Sequence, residues 1–188
     1  MAEKKQTMQS VKKVVIIGPE STGKSSLTKL LAQHYNTEYC DEFAREYLHT
    51  NGTKYSVDDL LIIAKGQLTL EDQITQKLEN TSSLLFIDTD MYVMKVWSEY
   101  VFGECNFFIL DSIVNRDYDL YLLCDIDLPW VKDELREYPD EKPRKELFNM
   151  YKDILINQHV PWKLISGNYE ERLAKSIETV NSLIDFSS

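Results

Sequence analysis

Residues Gly18-Pro19-Glu20-Ser21-Thr22-Gly23-Lys24-Ser25 constrain this chain of 188 residues more than any other feature. Glycines at 18 and 23 let a backbone wrap closely around an anion, where a Cβ would clash. The amides of such a loop point inward as a nest, and a helix starting near Lys24 adds its positive N-terminal end. The flanks agree with this reading. Val14-Val15-Ile16-Ile17 is a run of four β-branched residues, the pattern of a strand buried on both faces of a parallel sheet. Beyond the loop the spacing turns helical, with Leu27, Leu30, Leu31 and Tyr35 on one face. Strand, glycine loop and helix in that order make a P-loop. Its Lys24 is expected to reach the β- and γ-phosphates of ATP, and its Ser25 hydroxyl to ligate Mg²⁺. Glu20, Ser21, Thr22 and Ser26 complete the expected ATP-binding loop.

The remainder alternates strands with helices. Apolar runs at 37–40, 84–87, 118–124 and 162–165 read as four more strands. Helices are expected over 42–49, from Ser56 as N-cap towards Leu78, and over 91–100, 144–158 and 169–185. This alternation predicts an α/β fold, a three-layer P-loop NTPase with a five-stranded parallel sheet flanked by helices. The length suits a single domain over 1–188, with residues 1–12 as a flexible N-terminal arm. Asp125–Arg144, rich in charge and proline and poor in aliphatic residues, reads as a mobile lid.

Composition excludes several roles. The formal net charge is −10, which argues against a general nucleic-acid surface, since such a surface gains its affinity from basic groups that release counterions. Cys40, Cys105 and Cys124 are three and widely spaced, so a complete disulfide framework or a zinc site is not expected. The polar N-terminus has no apolar signal core, and no run reaches the roughly 18 apolar residues of a membrane span. The expectation is a cytoplasmic protein with free thiols and no membrane partner.

Strand ends supply the candidate chemistry. Asp88 closes an apolar strand, where a carboxylate can hold Mg²⁺ or orient an acceptor hydroxyl. Asp90, two residues on, can share either duty or cap the next helix. Glu42, after the second strand, can accept a hydroxyl proton or anchor a ribose diol, with Arg45 beside it. Arg136 and Arg144 in the lid would place cationic charge on a phosphoryl group in transfer. No NKxD-type guanine segment is present, and little space remains for an AAA-type helical subdomain. Together these features favour a small-molecule kinase over a switch or a motor ATPase.

The ordered set of motifs resembles the ribosylnicotinamide kinase domain of NadR-type proteins. The likeness rests on GPESTGKS at 18–25, Glu42-Phe-Ala-Arg45-Glu46-Tyr47, Phe86-Ile-Asp88-Thr-Asp90, Leu110-Asp111-Ser112 and Trp130-Val-Lys-Asp133-Glu-Leu-Arg136, with Arg144 beyond. It implies ATP-dependent phosphorylation of the 5′-hydroxyl of nicotinamide riboside. It also implies that Glu42, Arg45, Asp88 and Asp111 surround the acceptor, and that Gly167 belongs to an adenine-side loop, Ser166-Gly167-Asn168-Tyr169. Nicotinamide riboside carries a positive ring, so an acidic, aromatic pocket would suit it, with Tyr47, Tyr92 and Trp97 as candidate walls. Two departures stand out. Glu134 replaces the glycine usual in that family's lid, and only about a dozen residues precede the first strand. Adenylation would then fall to another enzyme.

Overall fold

The computed structural model describes residues 10–79, 82 and 84–184. Twelve elements alternate along them. They are β1 (Lys12–Ile17), α1 (Lys24–Tyr35), β2 (Tyr39–Cys40), α2 (Phe43–Asn51), α3 (Val57–Leu78), β3 (Leu84–Asp88), α4 (Met91–Phe102), α5 (Phe107–Asn115), β4 (Leu120–Cys124), α6 (Glu141–Ile156), β5 (Trp162–Ile165) and α7 (Tyr169–Leu183). The five strands form one sheet in the order β2-β3-β1-β4-β5, every pairing parallel. β1 is central, so the loop leaving it opens between the carboxyl ends of β3 and β4. There the chain changes direction across the sheet, which is where open α/β sheets bind ligands.

Strand alternation divides the core into two faces. Val14 and Ile16 pack with Phe86, Leu122 and the α1 residues Leu27 and Leu31 on one side. Val15 and Ile17 pack with Ile87, Leu123 and the α6 residues Tyr151 and Leu155 on the other. All four β1 residues are fully buried, which explains a run without polar alternation. A third apolar cluster joins α2, α3, α4 and α5 through Ala44, Ile63, Met94 and Ile109.

Several expected boundaries move, each for a local reason. The N-terminal arm cannot extend to residue 12, because Lys12 already belongs to β1, paired with Leu84 of β3; residues 1–9 lie outside the described residues. α6 begins at Glu141 rather than 144, since Pro143 falls in its first turn, where no amide hydrogen is needed. α5 occupies a stretch to which the sequence reading assigns no element. Asn106 caps it by accepting from the Phe108 amide. α7 is described to Leu183, and residue 185 of the expected helix lies outside the described residues. Among the described residues no helix is long and apolar enough to cross a membrane.

Candidate active site

The P-loop derives its shape from β1 and the start of α1. Gly18 has φ 141°, and a Cβ there would stand 2.8 Å from the Cys124 carbonyl oxygen, so the loop can leave the sheet only without a side chain. Gly23 has φ 80° and precedes α1 without any side-chain cap. The first-turn amides of α1 therefore keep their unspent donors directed at the loop. In α3, by contrast, Ser56 and Asp59 form a full capping box. Within the loop, the Thr22 hydroxyl and the Lys24 ammonium both donate to the Pro19 carbonyl, at 2.8 and 3.0 Å.

The loop forms one wall of a cavity of about 300 Å³. Glu42, the residue before α2, and Arg45 of α2 face it from the β2 side, and Val93, Trp97 and Tyr100 of α4 from the next turn of the fold. Leu147 and Tyr151 of α6 close the back. The 125–144 segment lies across the opening and contributes Leu135, Arg136 and Tyr138, with Arg136 donating to the Ser21 hydroxyl at 3.2 Å. Tyr169 stands at the mouth, its ring 3.2 Å from the position a Gly23 Cβ would take.

The two strand-end carboxylates have different fates. Asp90 is buried and spent: its Oδ1 accepts from the amides of Tyr92 and Val93, capping α4, and its Oδ2 accepts from the Tyr121 hydroxyl at 2.8 Å. Burial still pushes its carboxyl up to about 6, against the opposing pull of those hydrogen bonds. Asp88 is 1% exposed, and neither of its oxygens has a hydrogen-bond partner. Burial raises its pKa, while Lys24 and the Ser25 hydroxyl beside it favour the ionised form. Glu42 occupies the N-cap position of α2 without capping it, so its carboxylate is also uncommitted. Burial raises its pKa and the Asp88 charge adds to the rise; Lys24 and Arg45 oppose. A buried, unpartnered carboxylate costs several kcal/mol unless something compensates it. Asp88, Ser25 and Lys24 together have the donor set a hard divalent cation and a phosphate require.

The other expected site residues are engaged in contacts of their own, and of these Arg45 alone lines the cavity. Tyr47 gives its hydroxyl to Asp59 at 2.6 Å and packs with the α2–α5 cluster. Tyr92 packs against Tyr121 in the core. Asp111 is exposed on α5 and does not line the cavity. Gly167 sits at φ 104° after β5, its amide donating to Asp127. Arg144 is buried at the base of the lid, with one nitrogen on the Leu128 carbonyl at 3.3 Å and its Nε unpartnered. Arg45 pairs with Asp133 at 3.3 Å, joining α2 to the 125–144 segment.

Two positioning residues escape the sequence reading because no motif marks them. Gln67, 1% exposed in α3, accepts from the Phe43 amide at 2.8 Å and donates to the Asp41 carbonyl at 3.2 Å, so it brackets Glu42. Arg172, also 1% exposed, donates to the carbonyls of Thr22, Gly167 and Asp125 and pairs with Asp127. It ties the P-loop to the ends of β4 and β5 from behind. A buried polar residue on an apolar helix face is the one available signal for either.

A central parallel strand, a glycine loop with open helical amides and a carboxylate on the neighbouring strand define a P-loop NTPase. A family model described as an AAA domain matches residues 13–172, and the chain belongs to that family. The trifunctional NAD biosynthesis/regulator protein NadR of Escherichia coli (strain K12) is 28% identical over 179 residues, covering 93% of this chain and 43% of that protein. The chain thus spans less than half the length of this curated relative. A solved NadR in complex with NR superposes with a TM-score of 0.75 at 21% identity, over 95% of this chain and 52% of that one. Thymidylate kinase from Ehrlichia chaffeensis gives 0.66 at 13% identity, over 91% and 99%. Such likenesses between structures establish the shared fold.

Proposed function

We propose that the protein is an ATP-dependent kinase that phosphorylates the 5′-hydroxyl of nicotinamide riboside, giving nicotinamide mononucleotide. The observation that carries this reading is the pair of uncommitted carboxylates near Lys24, Glu42 on the wall of the P-loop cavity and Asp88 buried at the end of β3 behind it. The likeness to NadR across nearly the whole chain supports the choice of acceptor.

In this reading the loop amides and Lys24 hold the β- and γ-phosphates of ATP, and Arg136 and Arg144 balance the charge of the transferring group. Ser25 and Asp88 would hold Mg²⁺, which when bound offsets phosphate charge. Glu42 accepts the proton of the acceptor hydroxyl. The hydroxyl oxygen bonds to the γ-phosphorus as the bond to the β,γ-bridging oxygen breaks, and ADP leaves. Trp97, Tyr100, Tyr138 and Tyr151 line the cavity and suit a cationic ring by charge and stacking. An uncharged acceptor fits Arg45 better than a monophosphate does, because Arg45 is already paired with Asp133. The reading carries with it a cytoplasmic setting, with Cys40, Cys105 and Cys124 as free thiols.

Incubation with Mg-ATP and nicotinamide riboside, followed by ³¹P NMR of the products, tests the assignment. A new phosphomonoester resonance matching nicotinamide mononucleotide is expected. Phosphorylation of a different nucleoside in preference would overturn the acceptor.

A further inference from the structure

Glu20 is the third residue of the P-loop, at a position where backbone amides, not side chains, hold phosphate. Its carboxylate turns instead towards the lid. Oε1 accepts from the Trp130 indole at 3.1 Å and from the Tyr138 amide at 2.7 Å, and Oε2 accepts from the Glu137 amide at 2.9 Å. Next to it, the Ser21 hydroxyl accepts from the Val131 amide at 2.9 Å and from Arg136. Five donors from residues 130–138 thus converge on two adjacent loop side chains.

The far edge of the same segment rests on the opposite wall. Asp133 meets Arg45, and Glu137 accepts from the Tyr55 hydroxyl at 3.1 Å. Tyr55 in turn accepts from the Trp97 indole at 2.8 Å. A continuous line of contacts therefore runs from Trp97, on the cavity wall, through Tyr55 and Glu137 to Glu20 on the P-loop. The Arg45–Asp133 pair is partly solvated and of small worth. Three hydrogen bonds to one carboxylate are charge-assisted and stronger.

We propose that Glu20 is a positioning residue whose carboxylate holds the 130–138 segment across the P-loop and thereby sets Arg136 over the phosphate site. The proposal deepens the kinase reading and rests on it for its catalytic consequence. Closure is then built into the loop that binds the donor, and Trp97, Tyr55 and Glu137 connect it to the wall opposite.

Amide hydrogen exchange on the full chain without nucleotide, compared between wild type, Glu20→Ala and Glu20→Gln, tests the tether. In Glu20→Ala the Glu137 and Tyr138 amides should exchange about tenfold faster or more, as expected for loss of hydrogen bonds to a charged acceptor. The amides of β1 and β3 should be unchanged, which separates release of the lid from a damaged fold. Glu20→Gln, which retains one acceptor oxygen, should fall between the two. In steady-state transfer, kcat of Glu20→Ala should fall about tenfold while KM for ATP moves less than about threefold, because Arg136 acts on the group in transfer. Unchanged lid exchange in Glu20→Ala would overturn the tether whatever the kinetics. Faster exchange with unaltered kcat would overturn the positioning role. Absence of transfer by the wild type to any acceptor would retire the kinase reading, while the exchange result would still decide the tether.

Discussion

Lys24, Asp88 and Glu42 form a small electrostatic system in which one cation stands against two carboxylates that burial pushes towards neutrality. Replacing Lys24 by Ala should abolish phosphoryl transfer while the far-UV circular dichroism and a cooperative thermal transition persist, since the ammonium's hydrogen bond among the described residues is to the Pro19 carbonyl of its own loop. The carboxylates predict a pH profile. Their raised pKa values mean that the ionised forms appear only above the ordinary carboxylate range, so the acid limb of kcat/KM should lie above that range and activity should rise with pH through it. An acid limb at ordinary carboxylate values would contradict the assignment. Asp90 gives a stability prediction of opposite sense. Its folded pKa, raised to about 6, exceeds the ordinary aspartate value of about 3.8, so its contribution is fully present below about pH 4 and is lost as pH rises through about 6. The stability of wild type minus that of Asp90→Asn should fall by on the order of 3 kcal/mol across that window, measured by urea unfolding at several pH values. The sequence offered Asp88 first, with Asp90 sharing its duty or capping the next helix. They separate only once the fold shows that the α4 amides and Tyr121 take up Asp90 and leave Asp88 bare.

Helix geometry explains how these residues are held and why part of the site escaped the sequence. Gly66 lies inside α3 at ordinary helical φ, and a Cβ there would meet the Phe43 ring at 2.2 Å. Phe43 is the first residue of α2, directly after Glu42, and Gln67 holds its amide. Gly66→Ala should therefore destabilise the protein despite alanine's better helix propensity, by roughly 1–3 kcal/mol. Calorimetry should show a lower Tm, and a gain in Tm would mean that the ring yields freely. The central strands were legible as short apolar runs buried on both faces, and the long helices because each buries one regular face. α5 was not, since its residues are apolar nearly all round and give no single period, as in Phe107-Phe108-Ile109-Leu110. Tyr100, Tyr138 and Tyr151 reach the cavity from α4, the lid and α6, elements far apart in sequence, so no local pattern could gather them. Tyr47 and Tyr92, expected as walls, turn to Asp59 and Tyr121 instead.

Across the whole molecule, the parallel order β2-β3-β1-β4-β5 sets the donor loop at the centre of the sheet, with Glu42 and Asp88 on the β2 and β3 side. The 130–138 segment crosses from the P-loop to α2 and the residues just before α3, fastened by Glu20 and Ser21 at one edge and by Arg45 and Tyr55 at the other. In the proposed reading this span joins a donor site and an acceptor wall under one segment, an arrangement suited to transfer rather than to hydrolysis. The general plan was readable from the P-loop and the strand–helix alternation; the bridging role of the lid depended on contacts between residues more than a hundred positions apart. The central claim is that the γ-phosphoryl group goes to a nucleoside hydroxyl. ADP release from Mg-ATP, measured with nicotinamide riboside, with other nucleosides and with no acceptor, tests it most directly. The account predicts release that depends on acceptor and is fastest with nicotinamide riboside. Release at the same rate with no acceptor present would contradict it.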